Sequence, residues 1–503
     1  MKRILIIALG AGLLFGACSK DDLDIKPTRY ISKKDIDRIT ETSPHLMEAT
    51  MNGLYAYNVK QGSGGTTGHD DFGQKGYDIY TDMLAGDMVL NSTIYGWYSG
   101  IADLSDFRNY ASLEAFKPWR FYYYMVRGTN NVLVGYLDEQ DKPLKELSDK
   151  EKGILAQAYA MRAYMYYNLV NLYTTGYDAN EKILPIYVRP ILTNTPAKTT
   201  QEVFALMESD LRTSLKYFEE ANMVGKGPNI NYNVAKGILA YVLAAKGTTD
   251  ALTEVITITD ELKGAYPLAN QNQLLGGFNK VASNPNWMWS AQLTTENDLD
   301  LVSWWGQVDI YTYSYAAVGD TKGLNKDLFD AIRADDIRLK QFETNVVEYD
   351  EGEEVDFGTD ILPVNKFFSS LGKTFMGQRL IVSDYVFMRV EEMYLLNAEA
   401  KARLNQDGPA VDALKELLDN RITDLSYLDG LSGDALKKEV LFQTRLELWG
   451  EGKALAAFKR NKADIVYGSN HLFFAGTVFS YNDKRLVIPV PQSEILNNPV
   501  YNN

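Results

Sequence analysis

Apolar residues recur at steps of three and four over most of the chain, the spacing that lines one face of an α-helix. Ile154, Ala158, Met161, Met165, Leu169 and Leu172 mark such a seam through 150–172. Thr199 and Glu202 form a capping-box pattern, and Phe204, Met207, Leu211, Leu215 and Phe218 carry the helix that follows. Val234, Ile238, Tyr241, Val242 and Ala245 give it a partner, and Ala251, Val255, Ile258 and Leu262 another. Further on, Val390, Met393, Tyr394, Ala398 and Leu404 line one helix. Asn405-Gln406-Asp407-Gly408 breaks it, and Pro409 falls where a first helical turn tolerates it. Ala410, Ala413, Leu414, Leu417 and Leu418 then line the next. Helix pairs are expected near 120–172, 199–246, 248–263, 385–422 and 432–461.

Two antiparallel helices with small residues at their contact and a tight turn between them resemble a tetratricopeptide-type unit. Such a unit cannot bury its apolar face alone, so it implies stacked neighbours. The predicted class is mainly α: a tetratricopeptide-like helical-repeat scaffold with irregular, loop-rich insertions. Repeats are expected near 120–263 and 385–461, and an insertion at 270–384, where the helical period fails and Gly, Asn, Asp and aromatics concentrate. A long irregular insertion in a helical scaffold is usually functional. Within it, one helix is expected from Asn325 to Ala334, and the alternation of Trp287 and Trp289 reads as a core strand. The Gly-rich stretch Gln61 to Gly76 lacks the G-K-[ST] of a phosphate loop and reads as a flexible surface loop. Asp82 to Asn109 reads as loop around an aromatic centre, Tyr95-Gly96-Trp97-Tyr98.

Composition narrows the function. The net charge of −15, from 51 basic and 66 acidic residues, argues against a nucleic-acid footprint and against a polybasic lipid attachment. Three histidines, His45, His69 and His471, show no H-E-x-x-H and no paired metal-ligand spacing, and no G-x-S-x-G elbow is present. No catalytic residue, metal or cofactor is expected. Glu391, Glu392, Glu399, Glu447 and Glu451 fall beside Arg389, Arg403, Arg445 and Lys453 and read as helix-surface and inter-helix ion pairs. The acidic run Asp350-Glu351-Gly352-Glu353-Glu354 does not match a calcium loop and reads as a solvated turn.

Met1-Lys2-Arg3, the apolar run Ile4 to Phe15 and Gly16-Ala17-Cys18 form the pattern of a signal peptide over 1–17, too short to span a bilayer. Leu14-Phe15-Gly16-Ala17-Cys18 resembles a bacterial lipobox, which makes the sole cysteine, Cys18, the expected lipidation site. Residues 18–42 read as a lipid-anchored tether. Ser19-Lys20-Asp21-Asp22 reads equally as a polar linker or as a surface-export signal.

Binding has better candidates than catalysis. A sugar offers an apolar C–H face and a polar rim, which suits flat aromatic rings flanked by a few polar groups. Trp97, Tyr98 and Asn91 sit in one irregular stretch; Trp304, Trp305, Tyr311, Tyr313 and Tyr315 sit in another. Each has a packing alternative. The three tyrosines alternate, so one face of a strand can present them to ligand or to core. Adjacent tryptophans in extended chain point to opposite faces, so one of Trp304 and Trp305 is expected to be exposed.

Several stretches resemble one family. Arg389-Val390-Glu391-Glu392-Met393-Tyr394-Leu395-Leu396 with Ala398-Glu399-Ala400 resembles the R-x-x-E-x-Y-L-x-x-A-E-A helix of SusD/RagB proteins, nutrient-binding outer-membrane lipoproteins of Bacteroidetes. Arg445-Leu446-Glu447-Leu448, Glu451-Gly452 and Lys459-Arg460 resemble its second signature. Gln443, Thr444, Ala454 and Ala457 depart from that signature at positions of a salt-bridge network. Pro491-Gln492-Ser493-Glu494-Ile495 with Asn498-Pro499 resembles its ending. The resemblance implies one SusD-like domain over 43–503, with ligand loops at 60–110 and 270–384. It also implies a cell-surface location and a SusC-like TonB-dependent transporter as partner, over which the lipoprotein closes as a lid. The implied role is capture of an oligosaccharide without bond making or breaking. The alternative is a tetratricopeptide-type scaffold that binds protein or peptide, and a third reading is a surface hydrolase.

Overall fold

The computed structural model describes residues 45–190 and 193–502. The expected signal peptide, Cys18 and the tether to residue 42 lie outside them. After α1 (Leu46–Tyr57) and α2 (Gln74–Leu84) come the first long helices, α3 (Leu113–Val134), α4 (Asp149–Tyr173) and α5 (Thr200–Glu220). Their N-termini are set by local chemistry. Ser112 accepts from Ala115 N–H, and Ser148/Glu151 and Thr199/Glu202 both form complete capping boxes, so the expected box at Thr199 is present. Asn231 caps α6 (Tyr232–Lys246), and Gly247 ends it at φ 68°, a left-handed conformation that favours glycine. Thr248 at once caps α7 (Thr249–Lys263).

The helices pack in succession: α3 on α4, α4 on α5, α5 on α6 and α6 on α7. The chain then leaves the helical layer for residues 264–384. That stretch holds short elements only, among them β4 (Trp287–Ala291), α8 (Trp304–Val308), β5 (Lys322–Leu324), β6 (Val347–Asp350) and β7 (Glu353–Asp356). The helix expected from Asn325 to Ala334 is shorter, Lys326–Asp330, with Asn325 as its cap. The acidic run turns between β6 and β7 and is exposed. Strand β8 (Tyr385–Arg389) returns the chain to α9 (Glu391–Arg403), which packs against α7 and against α10 (Asp407–Leu418) and α11 (Gly433–Glu447). Ala398, Ala402, Ala410 and Ala413 form the close contact of this last set, with Leu414, Leu417 and Leu436 filling it. The fold is thus mainly α, a helical-repeat scaffold with an irregular insertion, the class expected.

Two antiparallel pairings anchor the insertion. β4 pairs β8, with Trp287 opposite Arg389. Trp287 and Trp289 are both buried, as their alternation predicted. β1 (Met88–Leu90) pairs β5, with Val89 opposite Gly323. The stretch from Asp82 to Asn109 therefore is not simply loop: it holds the end of α2, β1 and a helical turn at Ser99–Ala102.

Of the helix-surface and inter-helix ion pairs expected, the main ones link separate elements and are buried. Arg389 binds Glu451 and Glu447, each at 2.8 Å. Arg421 reaches Glu447 at 3.0 Å and Glu391 at 3.3 Å, and Arg338 joins Glu447 at 3.0 Å and Asp336 at 2.7 Å. Burial works to raise the Glu447 carboxyl, but the guanidiniums of Arg421, Arg389 and Arg338 outweigh it and hold it well below the usual carboxylate range. The departures at Gln443 and Thr444 leave this lattice intact. Gln443 accepts from Arg338 through its amide oxygen, and the Thr444 hydroxyl bonds back to Val440 O at 2.9 Å.

Candidate functional site

Three segments distant in sequence meet at one aromatic cluster. The first is 58–73. The Asp71 carboxylate accepts from Gly64 N–H at 2.6 Å, and from Thr66 N–H and Oγ1 at 3.0 and 2.8 Å. Asp70, Asp71 and Phe72 are buried. Gly73 then turns into α2 at φ 77°, with Asn58 O only 2.2 Å from where a Cβ would stand. The glycine-rich stretch is a tied turn, not the flexible surface loop expected, because one buried carboxylate collects its amides. It presents His69.

The second segment is 91–98, which leaves β1 beside β5. Asn91 N–H donates to Thr321 O at 2.9 Å. Asp320 accepts from the backbone N–H groups of Tyr95 and Trp97 at 2.9 and 3.3 Å. The third is 304–322. Gln307 donates to His69 O at 3.1 Å and accepts from Lys322 Nζ at 2.8 Å. Lys322 is fully buried, and burial pulls its amine down to about 7 against the opposing pull of Asp320 and Asp70.

On this frame the His69 and Trp97 rings stack, with centroids 5.1 Å apart and planes 10° from parallel. Tyr315 meets Trp97 edge-on at 6.0 Å and Tyr95 at 5.3 Å, and its hydroxyl hydrogen-bonds His69 Nδ1. Tyr95 is 59% exposed and Ile94 70% exposed, Trp97 is half-buried, and Tyr315 is buried beneath them. The result is a rigid aromatic surface with imidazole and phenol groups at its edge. It suits the apolar face of a ring-shaped ligand. Among the described residues no group of three or more metal-ligating side chains comes together.

The candidates chosen from sequence divide. Trp97 and Tyr315 are in the cluster, Tyr315 as its buried base. Tyr98 lies beside it but is buried: it sits at φ 69°, donates to Gly76 O at 3.3 Å and has Lys322 Nζ 5.1 Å from its ring centroid. The Asn91 side chain packs against Gly323 rather than facing outward. Trp304 and Trp305 are both buried, contrary to the expectation that one is exposed. The reason is local. Ser303 caps α8, and helical neighbours diverge by about 100° rather than 180°, so both rings enter the same core. Trp304 meets Phe367 at 4.7 Å, and Trp305 Nε1 donates to Ser383 O at 2.9 Å. Tyr311, Tyr313 and Tyr315 lie in turns, not on a strand. Tyr311 is core with Ile310, Leu362 and Val364. Tyr313 is 41% exposed, with Arg379 over its ring at 4.5 Å and Asp300 holding Arg379 at 3.1 Å. His69 and Asp320 were not singled out as ligand candidates. The one available signal for His69 was a histidine within a Gly-rich stretch; Asp320 gave none.

A helical-repeat scaffold with inserted loops also occurs in known proteins similar to this chain. Residues 341–503 match the model of the SusD family. A SusD-like carbohydrate binding protein from Bacteroides vulgatus shares the fold at TM-score 0.76 and 23% identity, over 91% of this chain and 96% of that one. A SusD superfamily protein from Bacteroides thetaiotaomicron does so at 0.73 and 21%, over 90% and 98%. The surface glycan-binding protein A of Bacteroides uniformis does so at 0.66 and 15%, over 91% and 98%. No curated protein matches the chain. Its C-terminal third thus resembles the SusD family in sequence, and the chain as a whole has the fold of SusD-like proteins.

Proposed function

We propose that this protein binds an oligosaccharide at the cluster of Tyr95, Trp97, His69 and Tyr315 and holds it for import. The observation that carries the reading is the joint fixing of these rings by Asp320, Gln307 and Asp71, which pre-organises a flat surface and so lowers the entropy lost on binding. The names of the structural neighbours, carbohydrate binding and glycan binding, support the same class of ligand. The Cys18 lipid anchor, the outer-membrane surface location and the SusC-like TonB-dependent transporter partner belong to the same proposal, as does a single SusD-like domain over 43–503. Binding, not catalysis, is the role.

A glycan-array or affinity-gel screen of the purified protein tests it. Binding to one polysaccharide class, lost on Trp97→Ala with the fold retained, is the expected result. Binding to peptides but to no glycan would favour the protein- or peptide-binding alternative. Release of a product from any polysaccharide would return the hydrolase reading. Cys18→Ser should leave the protein out of the membrane fraction.

A further inference from the structure

The outer face of α3 carries a second aromatic surface, apart from the cluster of Tyr95, Trp97, His69 and Tyr315. A column of rings leads to it from the core. Phe121 is buried, Tyr57 of α1 stacks on it with centroids 6.1 Å apart and planes 7° from parallel, and Tyr124 stacks on Tyr57 at 4.3 Å and 26°. Tyr124 is 47% exposed, and among the described residues its hydroxyl has no hydrogen-bond partner. The column is tied to the glycine-rich turn. The Tyr57 hydroxyl donates to Ser63 O at 2.5 Å, and Arg120 Nη1 donates to the same oxygen at 3.1 Å and to the Tyr57 hydroxyl at 3.3 Å. A ring supported in this way gives up little motion on binding.

Arg120 and Arg127 stand four residues before and three after Tyr124, so the three share one stripe of the helix. Arg127 is exposed and Arg120 half-buried, with its guanidinium 6.0 Å from the Tyr124 ring centroid. Neither forms an ion pair. Among the described residues every other arginine except Arg108 is held by a carboxylate. The flanking chain brings no acid to offset the pair. α1 packs on one side of α3 through Leu54 against Gly128, and residues 185–187 lie on the other, where Pro185 O accepts from Tyr123. Residues 49–69, 115–137 and 183–190 contain no Asp or Glu. The acids just beyond are engaged. Asp70 and Glu114 bind Lys117, and Glu48 binds Lys150. Asp71 and Asp138 collect donors of their own turns. Glu494 meets α3 at Trp119 Nε1, and Asp298 meets the glycine-rich turn through its carbonyl, at Gln61.

We propose that this face binds an acidic sugar unit. The sugar ring lies on the open side of Tyr124, and its carboxylate or sulfate takes the guanidiniums of Arg120 and Arg127, whose planar fork matches such an oxyanion. In a chain of net charge −15, two arginines left without carboxylate partners concentrate anions at this stripe. The site shares no residue with the aromatic cluster, so it stands or falls apart from the function proposed above.

Calorimetry at low and at high salt tests this, with trigalacturonate for the carboxylate, a heparin tetrasaccharide for the sulfate, neutral cellotriose and a hexaglutamate peptide. The expected result is that one of the acidic saccharides binds at least tenfold more tightly than cellotriose and the peptide, and that salt weakens it. Arg127→Glu, at an exposed position that forms no ion pair, should lower this affinity at least tenfold with melting unchanged. Tyr124→Ala should lower it at least fivefold, and Trp97→Ala should leave it as it was. Binding of neither acidic saccharide, equal binding of cellotriose or of hexaglutamate, loss on Trp97→Ala, or indifference to Arg127→Glu would each overturn the proposal.

Discussion

Asp320 accepts the backbone N–H of Tyr95 at 2.9 Å from 225 positions away in sequence. The same carboxylate takes Trp97 N–H, so one side chain of the 304–322 segment sets the pose of the aromatic turn. Asp320→Ala should cost about 1–3 kcal/mol of stability by leaving two amides without their acceptor. It should also weaken glycan binding about as much as loss of Trp97 does, with helical circular dichroism unchanged. Full affinity in this variant would show that the turn holds its shape without the carboxylate.

Tryptophans chosen from sequence on equal terms should separate in experiment. Trp97→Ala removes a half-buried ring from the surface and should lower ligand affinity at least tenfold, about 1.4 kcal/mol, with little change in melting temperature. Trp305→Ala empties a core site and should cost about 3–5 kcal/mol of stability, read by denaturant titration.

Gly73 is a third point of control. Any side chain there meets both a left-handed φ and a backbone oxygen 2.2 Å away. Gly73→Ala should destabilise by roughly 1–3 kcal/mol or more, and should weaken binding through displacement of His69. Unchanged melting and unchanged affinity would contradict the tied-turn description.

Lys322 makes stability depend on pH in a defined direction. Its folded value, about 7, lies below the ordinary 10.5. Between those limits the unfolded chain binds a proton that the folded chain does not, so this residue's contribution rises with pH through that window. Below about pH 7 both forms are protonated and the penalty of burying the charge is complete. Unfolding free energy measured from pH 6.5 to 9 should therefore climb less steeply in Lys322→Met than in the unaltered protein. Equal slopes would rule the shift out.

Arg389→Met should cost about 3–5 kcal/mol, because it strands the buried carboxylates of Glu447 and Glu451. Thermal unfolding checks this, and a change within 1 kcal/mol of zero would mean that Arg421 on Glu447 and the buried Lys366, 3.3 Å from Glu451, suffice.

The scaffold was legible because its signals are local. A seam such as Ile154 to Leu172 and a box such as Thr199/Glu202 each declare a helix without knowledge of what it packs against. The aromatic surface was legible at Trp97 and Tyr315, and at Tyr95 only as part of an aromatic stretch. Tyr98 lies next to Trp97 in sequence yet turns inward, a consequence of its φ of 69°. Trp304 and Trp305 would diverge on extended chain, but a five-residue helix carries both into the core. His69 joins the surface only because Asp71, Gln307 and Tyr315 hold it there, partners that no spacing rule links. Asp320 does its work through main-chain amides, which leave no mark on residue type.

Asp87 forms a bidentate pair with Arg445, and its carbonyl accepts from Trp449 Nε1 at 2.8 Å, across 358 and 362 positions. Arginine pairing is what restrains the rise of the buried Asp87 carboxyl. The β1 region can therefore reach its final state only after nearly the whole polypeptide is available. Contacts of such high sequence separation slow folding, since the closure of a long loop precedes any gain from them. A chain that is made from its N-terminus holds Asp87 without its arginine until residue 445 of 503 has been added, and during that interval the aromatic turn that follows β1 lacks its final support.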